Sequence, residues 1–239
     1  MSRYAFLITS AINTKFGVFD SQQRLQQTID TIQSIRSRVA DAKLFLLEMA
    51  AIPLSEDQRN QLMPLVDNII DFTTDPSVKE LYNSTDNWDV VKNVTEVMCF
   101  RQALVRLTDA NQLDDCQRVF KISGRYTLND NFDIAYYDQY SVQSHYVISA
   151  SRGSQFSLAT TNVARQYMSR LWSWPTTLTK EIVGVYGNCL MLMQTRLLNN
   201  GYCDIEHALY NFLDQNKVIE LPVIGIQGNL GPNGLVVKD

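Results

Sequence analysis

The stretch FKISGRYTLNDNFD, residues 120–133, closes a short β-type run (Val119, Phe120, Ile122) with Ser123-Gly124, then Arg125-Tyr126, then a cluster of Asp and Asn. Glycine lets another group approach the backbone closely. A guanidinium fork binds phosphate or carboxylate, and tyrosine adds a flat stacking face with a hydroxyl. A strand that ends in such a turn is where open α/β sheets place their ligands. Whether this is such a strand depends on the elements that precede it.

Read back toward the N-terminus, those elements alternate. Val90–Leu107 is helical in pattern, with Val94, Val97, Met98, Arg101, Leu104 and Val105 on its faces. Asp75–Asp89 is polar, holds Pro76, Asn83, Asn87 and Trp88, and reads as a loop or short helix. Val66–Phe72 is a strand candidate, and Pro53 opens a helical stretch over Ser55–Leu65. Lys43–Met49 (KLFLLEM) is nearly continuously apolar, as a strand covered on both faces should be. Leu25, Ile29, Ile32, Ile35 and Val39 recur at three- and four-residue steps, and Asp20 with Gln23 offers a capping box for that helix. A Gly17-containing loop separates it from a first strand, Tyr4–Ile12. That strand is too short to span a membrane and lacks a small-residue cleavage site, so it reads as internal rather than as a signal peptide. The succession strand–helix–strand–helix–strand–helix–strand implies right-handed crossovers. The fold class is therefore α/β, a mainly parallel, Rossmann-like sheet flanked by helices.

After Asp133 the pattern is less regular. Tyr146–Ala150 reads as a strand, and Ser157–Trp172 as a helix ended by Trp174-Pro175. Lys180–Arg196 is apolar around Gly184 and Gly187, and Asp204 caps a helix that runs to Leu213. Gly225, Gly228, Gly231 and Gly234 space a turn-rich tail. There is no repeat and no obvious linker, so residues 1–239 read as one domain in two halves, 1–133 and 134–239.

Composition narrows the function. At 239 residues, 45% hydrophobic and 19% charged, the chain can bury a substantial core and is not disordered. A net charge of −4 argues against a nucleic-acid groove but allows a local basic pocket. Four cysteines without CxxC spacing look like reduced, buried thiols, which points to the cytosol. The sequons at Asn83 and Asn93 then read as chance matches. GxxxxGK[ST], GxGxxG and GxSxG motifs are absent. Two histidines without paired spacing argue against a zinc site, and no partner base is evident for a catalytic cysteine.

Three places resemble the GT-A-fold glycosyltransferases, which move a sugar from a nucleotide diphosphate donor to an acceptor. They are the opening strand with Thr14 and the helix QQTIDTIQSIR bearing Arg24, the helix Val90–Leu107 running into the strand that ends at Ser123–Tyr126, and Val183–Leu213. The last is similar to the family's Gly-containing strand, helix, Gly-aromatic turn and acidic pair at a helix start. The resemblance implies a GT-A-type sheet with a nucleotide-sugar-binding half, 1–133, and an acceptor-side half, 134–239. It implies a nucleotide diphosphate sugar as donor and a glycan or other acceptor as partner. Glu206 would stand at the catalytic base of inverting members, with His207 replacing the second acid. The family's Asp-x-Asp metal motif is not at the strand end. Asp130 and Asp133 lie a few residues late and Asp114-Asp115 a few early. Either Asp130 or Asp133 holds Mn or Mg, or Lys121 and Arg125 neutralise the diphosphate without metal.

Each candidate has a bland alternative. Lys121 and Arg125 suit phosphate, but also a surface cation pair or a bridge to a structural carboxylate. Arg24 can reach the same donor or sit on a solvated helix face. Thr9, Ser10 and Thr14 offer hydroxyls to a base or ribose, or are ordinary strand-end residues; Ser123, Gly124 and Tyr126 complete the turn around the donor. Glu206 can take an acceptor's proton, or merely favour the first turn of the Asp204-capped helix. His207 is a metal ligand, a hydrogen-bonding neighbour or a core histidine. Asp130 and Asp133 supply hard oxygens, or make an Asx-rich turn. Trp172, Trp174, Tyr136 and Tyr137 make a sugar platform or a core. The tail is a lid or a disordered terminus. Two rival functions remain. One is a sugar-phosphate nucleotidyltransferase, which expects a Gly-rich basic loop where Asn13–Asp20 has only Lys15 and Gly17. The other is a non-catalytic nucleotide- or carbohydrate-binding module.

Overall fold

The computed structural model describes residues 3–230 and 233–238. Every residue of β1 (Tyr4–Ser10) is buried, because the strand is covered on both faces. Asp20 caps α1 (Ser21–Arg38) through the capping box expected of it, its carboxylate accepting the Gln23 amide and the Gln23 side chain accepting the Asp20 amide. β2 (Lys43–Glu48) runs parallel to β1. Ser55 caps α2 (Glu56–Leu62), and a 3-10 turn leads to β3 (Asn68–Asp71), parallel to β2. Asp75 caps α3 (Pro76–Ser84) and Asn87 caps α4 (Trp88–Asp109). These two helices carry the chain across to the other flank of β1, where β4 (Arg118–Ser123) pairs with it in parallel.

The later residues are β5 (Tyr126–Leu128), β6 (Tyr146–Ser149), β7 (Arg152–Gly153), α5 (Leu158–Thr161), β8 (Arg165–Gln166), β9 (Leu171–Pro175), α6 (Thr179–Leu198), α7 (Ile205–Phe212), β10 (Val218–Leu221), β11 (Ile226–Asn229) and β12 (Val236–Lys238). The protein is mixed α/β, with a seven-stranded sheet ordered β10-β6-β9-β4-β1-β2-β3 and flanked by helices. Only β9 runs against its neighbours β4 and β6. No helix among the described residues is long and apolar enough to cross a membrane.

The pleat sorts the core into two layers. Ala5, Leu7, Phe45, Leu47 and Val119 face α4, α6 and α7, joined by Val97, Phe100, Leu104 and Ile182. Phe6, Ile8, Leu44, Leu46, Phe120 and Ile122 face α1, joined by Leu25, Ile32 and Ile35. Each fully buried side chain of this size contributes about 1.5–3 kcal/mol of transfer free energy. Because β2 and β3 lie on one flank of β1 and β4 on the other, the chain reverses direction across the sheet between β1 and β4. The loops that leave these two strands therefore part and open a crevice at their carboxyl ends.

Three expectations are corrected. Ser157–Trp172 is not a helix: α5 is a single turn, stopped where Asn162 adopts a left-handed conformation (φ 59°), and the chain continues as β8 and β9. Trp172 and Trp174 are core on one face of β9, while Ser173 on the other accepts a hydrogen bond from Arg118, so the strand has no polar face to betray its period. The glycine-containing strand expected after Val183 is part of α6, where Ile182, Val185, Tyr186, Cys189 and Met193 bury one stripe; Gly184 faces open space and Gly187 lies beside Arg101. The described part of the tail forms an antiparallel pair, β11 and β12, added to β5, rather than a lid over the cleft. Gly225 takes φ +83° with no room for a Cβ against Phe132, and a Cβ on Gly228 would overlap the Arg125 carbonyl. Gly231 lies outside the described residues.

Candidate active site

The crevice is a cleft of about 940 Å³ including its open mouth. β1 supplies Thr9 and Ser10, the turn after β4 supplies Ser123, Gly124 and Arg125, and α1 supplies Arg24 and Thr28. Thr14, Phe16 and Gly17 come from the β1–α1 loop, and Tyr82, Trp88, Lys92 and Glu96 from α3 and α4. Most residues read from the sequence as donor-binding thus converge here: Thr9, Ser10, Thr14, Arg24, Ser123, Gly124 and Arg125.

Their charges are arranged for an anion. The Arg125 guanidinium has no hydrogen bond or ion pair among the described residues, and its Nε is buried without an acceptor. Arg24 spends Nε on the Phe19 carbonyl (3.0 Å) and Nη2 on the Phe16 carbonyl (2.7 Å), which pins the β1–α1 loop and leaves Nη1 uncommitted. Burial, then the neighbouring Arg125 charge, lowers its pKa. Lys92 rests over the Trp88 ring (5.6 Å) and makes no ion pair among the described residues, though its charge reaches Asp89, Glu96 and Glu206. The cleft's one lining carboxylate, Glu96, is committed to Lys121 (2.7 Å). Burial pushes Glu96 up, but Lys121, with Lys92 and Arg125, overcomes it and holds the carboxyl below its ordinary range. Beneath the floor Glu48 is fully buried. It accepts from Ser10 Oγ (2.5 Å) and from the amides of Ile12 (3.0 Å) and Ala50 (3.2 Å), fixing both strand ends, and burial raises its pKa to about 7.

Other candidates fall elsewhere. Lys121 does not face the cleft: the pleat turns it toward α4, where Nζ pairs with Glu96 and donates to the Ser169 carbonyl (2.9 Å). Ser10's hydroxyl is spent on Glu48. Gly124 admits Thr28 rather than a ligand, since a Cβ there would lie 3.2 Å from Thr28 Oγ1. Tyr126 is buried core beneath Arg170 and does not line the cleft. Trp172, Trp174 and Tyr137 are also core, not a sugar platform, and Tyr136 packs partly against it.

The acidic candidates separate too. Asp130 is an exposed partner of Arg38 (2.7 Å), and Asp133 caps a 3-10 turn by accepting the Ala135 amide. Neither lines the cleft, and among the described residues no three His, Cys, Asp or Glu side chains group as metal ligands. With Glu96 already paired, the cleft's donor set does not fit a divalent cation. His207 is fully buried, with Nδ1 at 2.6 Å from Asp204 Oδ1 and Nε2 at 2.8 Å from Ser154 Oγ. Both ring nitrogens are occupied, so it is not a metal ligand. The Ser154 hydroxyl also donates to the Phe156 carbonyl (2.7 Å), and the three side chains lock the 153–157 loop onto α7. Glu206, in the first turn of α7, accepts from the Ser169 amide (3.2 Å) and hydroxyl (3.4 Å). Burial, then the charge of Asp204, raises its pKa. It does not line the cleft but stands behind its wall, within electrostatic reach of Lys92.

Sequence reasoning passed over Lys92, Glu96, Phe16, Tyr82 and Trp88. A signal for three of them exists. Trp88, Lys92 and Glu96 recur every four residues, so one face of α4 carries all three. Phe16 and Tyr82 meet edge to face (5.8 Å) across the cleft mouth, and Lys15 bonds the Tyr82 hydroxyl through its amide and Asp86 through Nζ (2.8 Å). No protein-family model matches this chain, and no curated protein matches it detectably.

Proposed function

We propose that the protein is a glycosyltransferase of the GT-A type, and that the cleft takes the nucleotide diphosphate of a sugar donor. One observation carries the reading: Arg24, Lys92 and Arg125 face a switch-point cleft and make no ion pair among the described residues, in a chain of net charge −4. Guanidinium forks bind phosphate oxygens bidentately, and positive charge held where a diphosphate departs lowers the barrier to its departure. The aromatic faces of Tyr82 and Trp88 suit a flat base or a sugar ring. Transfer breaks the anomeric carbon–oxygen bond to the diphosphate and forms one to the acceptor oxygen, whose proton passes to Glu206. A raised carboxyl pKa suits a general base near neutral pH. An inverting course is what the resemblance at Glu206 implies. The free, buried thiols support a reducing, cytosolic setting.

The test is thermal unfolding with UDP, GDP and dTDP and their sugars, with manganese and with EDTA. One nucleotide diphosphate should raise the melting temperature by mass action and keep doing so in EDTA. No shift with any of them sinks the proposal. Because Glu206 stands behind the cleft wall, a binding module without turnover is the second reading; it requires that no donor be hydrolysed or transferred. The nucleotidyltransferase reading loses support, since Lys15 is tied to Asp86 and Tyr82 at the cleft mouth.

A further inference from the structure

A second cavity, about 500 Å³ including its open mouth, adjoins the cleft on the same carboxyl edge of the sheet. Ser149 at the end of β6, Met168, Arg170 and Leu171 at the approach to β9, and Pro222, Ile224 and Ile226 after β10 line it. The two cavities share a wall: Ser123, which lines the first, donates its amide to the carbonyl of Arg170, which lines the second (2.9 Å).

The lining has two characters. Met168, Leu171, Ile224 and Ile226 present apolar surface. Arg170 brings the charge. Its guanidinium lies over the Tyr126 ring (5.5 Å) and makes no hydrogen bond or ion pair among the described residues. Apolar side chains beside one such cation match a ligand with an apolar segment and one anionic group. Glu206 lines neither cavity but lies behind the wall they share. It is hydrogen-bonded to Ser169, next to Arg170, and lies within electrostatic reach of both Arg170 and Lys92.

We infer that the second cavity is the acceptor subsite, and that the acceptor is an alcohol bearing an apolar segment and one phosphate or carboxylate, which Arg170 holds. This rests on the transferase reading above. An acceptor seated there brings its hydroxyl toward the shared wall, and the proton passes to Glu206 through the Ser169 hydroxyl that donates to it.

The test uses the full chain and a matched set of probes in isothermal titration: octyl phosphate, octanoate and octanol, each below its aggregation concentration. Octyl phosphate or octanoate should bind at least about tenfold more tightly than octanol, the loss expected when one charge-assisted hydrogen bond is removed. The tighter of the two identifies the headgroup. Arg170→Ala should erase the difference, while a nucleoside diphosphate still binds that variant as it binds the parent. Should Arg170→Ala not fold, Met168→Glu, which sets a carboxylate in the same cavity, has to weaken the anion more than the alcohol. Equal binding of octanol, or anion binding that survives Arg170→Ala and vanishes with Arg125→Ala, overturns the inference. Failure of every nucleoside diphosphate to bind, with Arg170-dependent octyl phosphate binding retained, removes the donor reading and the acceptor role with it, and leaves an amphiphile site.

Discussion

Arg125→Met separates a ligand-binding arginine from a structural one, because the two roles move stability in opposite directions. Methionine keeps the apolar stem and removes the guanidinium. In the native protein that guanidinium has no partner among the described residues, and its Nε is buried unsatisfied. A buried donor without an acceptor costs about 1–3 kcal/mol. Removing it therefore leaves stability unchanged or raises it by up to about 2 kcal/mol, once some lost stem packing is set against the gain. For a chain of this length that is a rise of roughly 0 to 8 °C in melting temperature, at 2–4 °C per kcal/mol. Glu96 does not suffer, since Lys121 and Lys92 act on it more strongly than Arg125 does. Binding moves the other way. Each hydrogen bond from a charged donor to phosphate is worth about 1.5–3 kcal/mol, so loss of one weakens a nucleoside diphosphate by roughly 10- to 150-fold. Unfolding followed by fluorescence and titration calorimetry on the same samples read both quantities. A melting temperature lowered as by a core truncation, with nucleotide affinity intact, would refute the reasoning.

Lys121→Met should behave as the opposite case, losing about 1–3 kcal/mol because Glu96, only 16% exposed, loses the cation nearest it, and the double variant with Glu96→Gln should recover most of it; urea unfolding of the three variants decides, and a neutral Lys121→Met contradicts the pairing. Glu206→Gln should bind donor as the parent does but lose at least about a hundredfold in transfer or donor hydrolysis, whereas unchanged turnover would take Glu206 out of the chemistry. Glu48 makes stability fall with pH. Its folded pKa of about 7 lies above the ordinary 4.5, so the folded state holds the proton through that interval. The benefit is complete below pH 4.5 and is lost by about pH 7, roughly 3 kcal/mol in all. Glu48→Gln, which can still accept from the Ile12 and Ala50 amides, should flatten that slope in urea titrations between pH 4.5 and 7.5, and parallel slopes would refute the assignment.

The first half of the fold was legible because its signals are local. Asp20 with Gln23 and Ser55 with Gln58 are capping boxes that need no tertiary partner to be read. KLFLLEM declared itself a buried parallel strand by being apolar without alternation. The second half was misread where the same lack of alternation met aromatic residues. LWSWP is covered on both faces, so neither a two-residue nor a three-to-four-residue period distinguishes strand from helix. The glycines of α6 misled for a different reason: nothing about Gly184 or Gly187 requires glycine, so they carried no information about conformation. The cleft was legible at its two strand ends, which chain order predicts, and illegible along α4, whose contribution depends on which face the crossover from β3 turns toward the sheet.

Sorting the cations shows what a one-dimensional reading lacks. Lys121 and Arg125 are four residues apart and looked equivalent as phosphate ligands. Lys121 belongs to β4 itself, and the pleat commits it to the α4 layer, where a charge is tolerable only with a carboxylate beside it; Glu96 supplies that. Arg125 lies past the last residue of the strand, where the pleat no longer dictates direction and the chain can aim it into the crevice. The rule extends to the other cations. Arg118 is central and buried, and its guanidinium is satisfied by Ser173 and the carbonyls of Val142 and His145. Arg24 is half-committed to loop carbonyls, while the side chains of Lys92 and Arg125 are committed to no oxygen of the described residues. Among the described residues, the cations buried within the sheet, Arg118 and Lys121, are satisfied inside the fold, whereas Lys92 and Arg125 at the switch-point crevice and Arg170 at the second cavity are not. Folding alone gives no reason for that asymmetry; recognition of an external anion does.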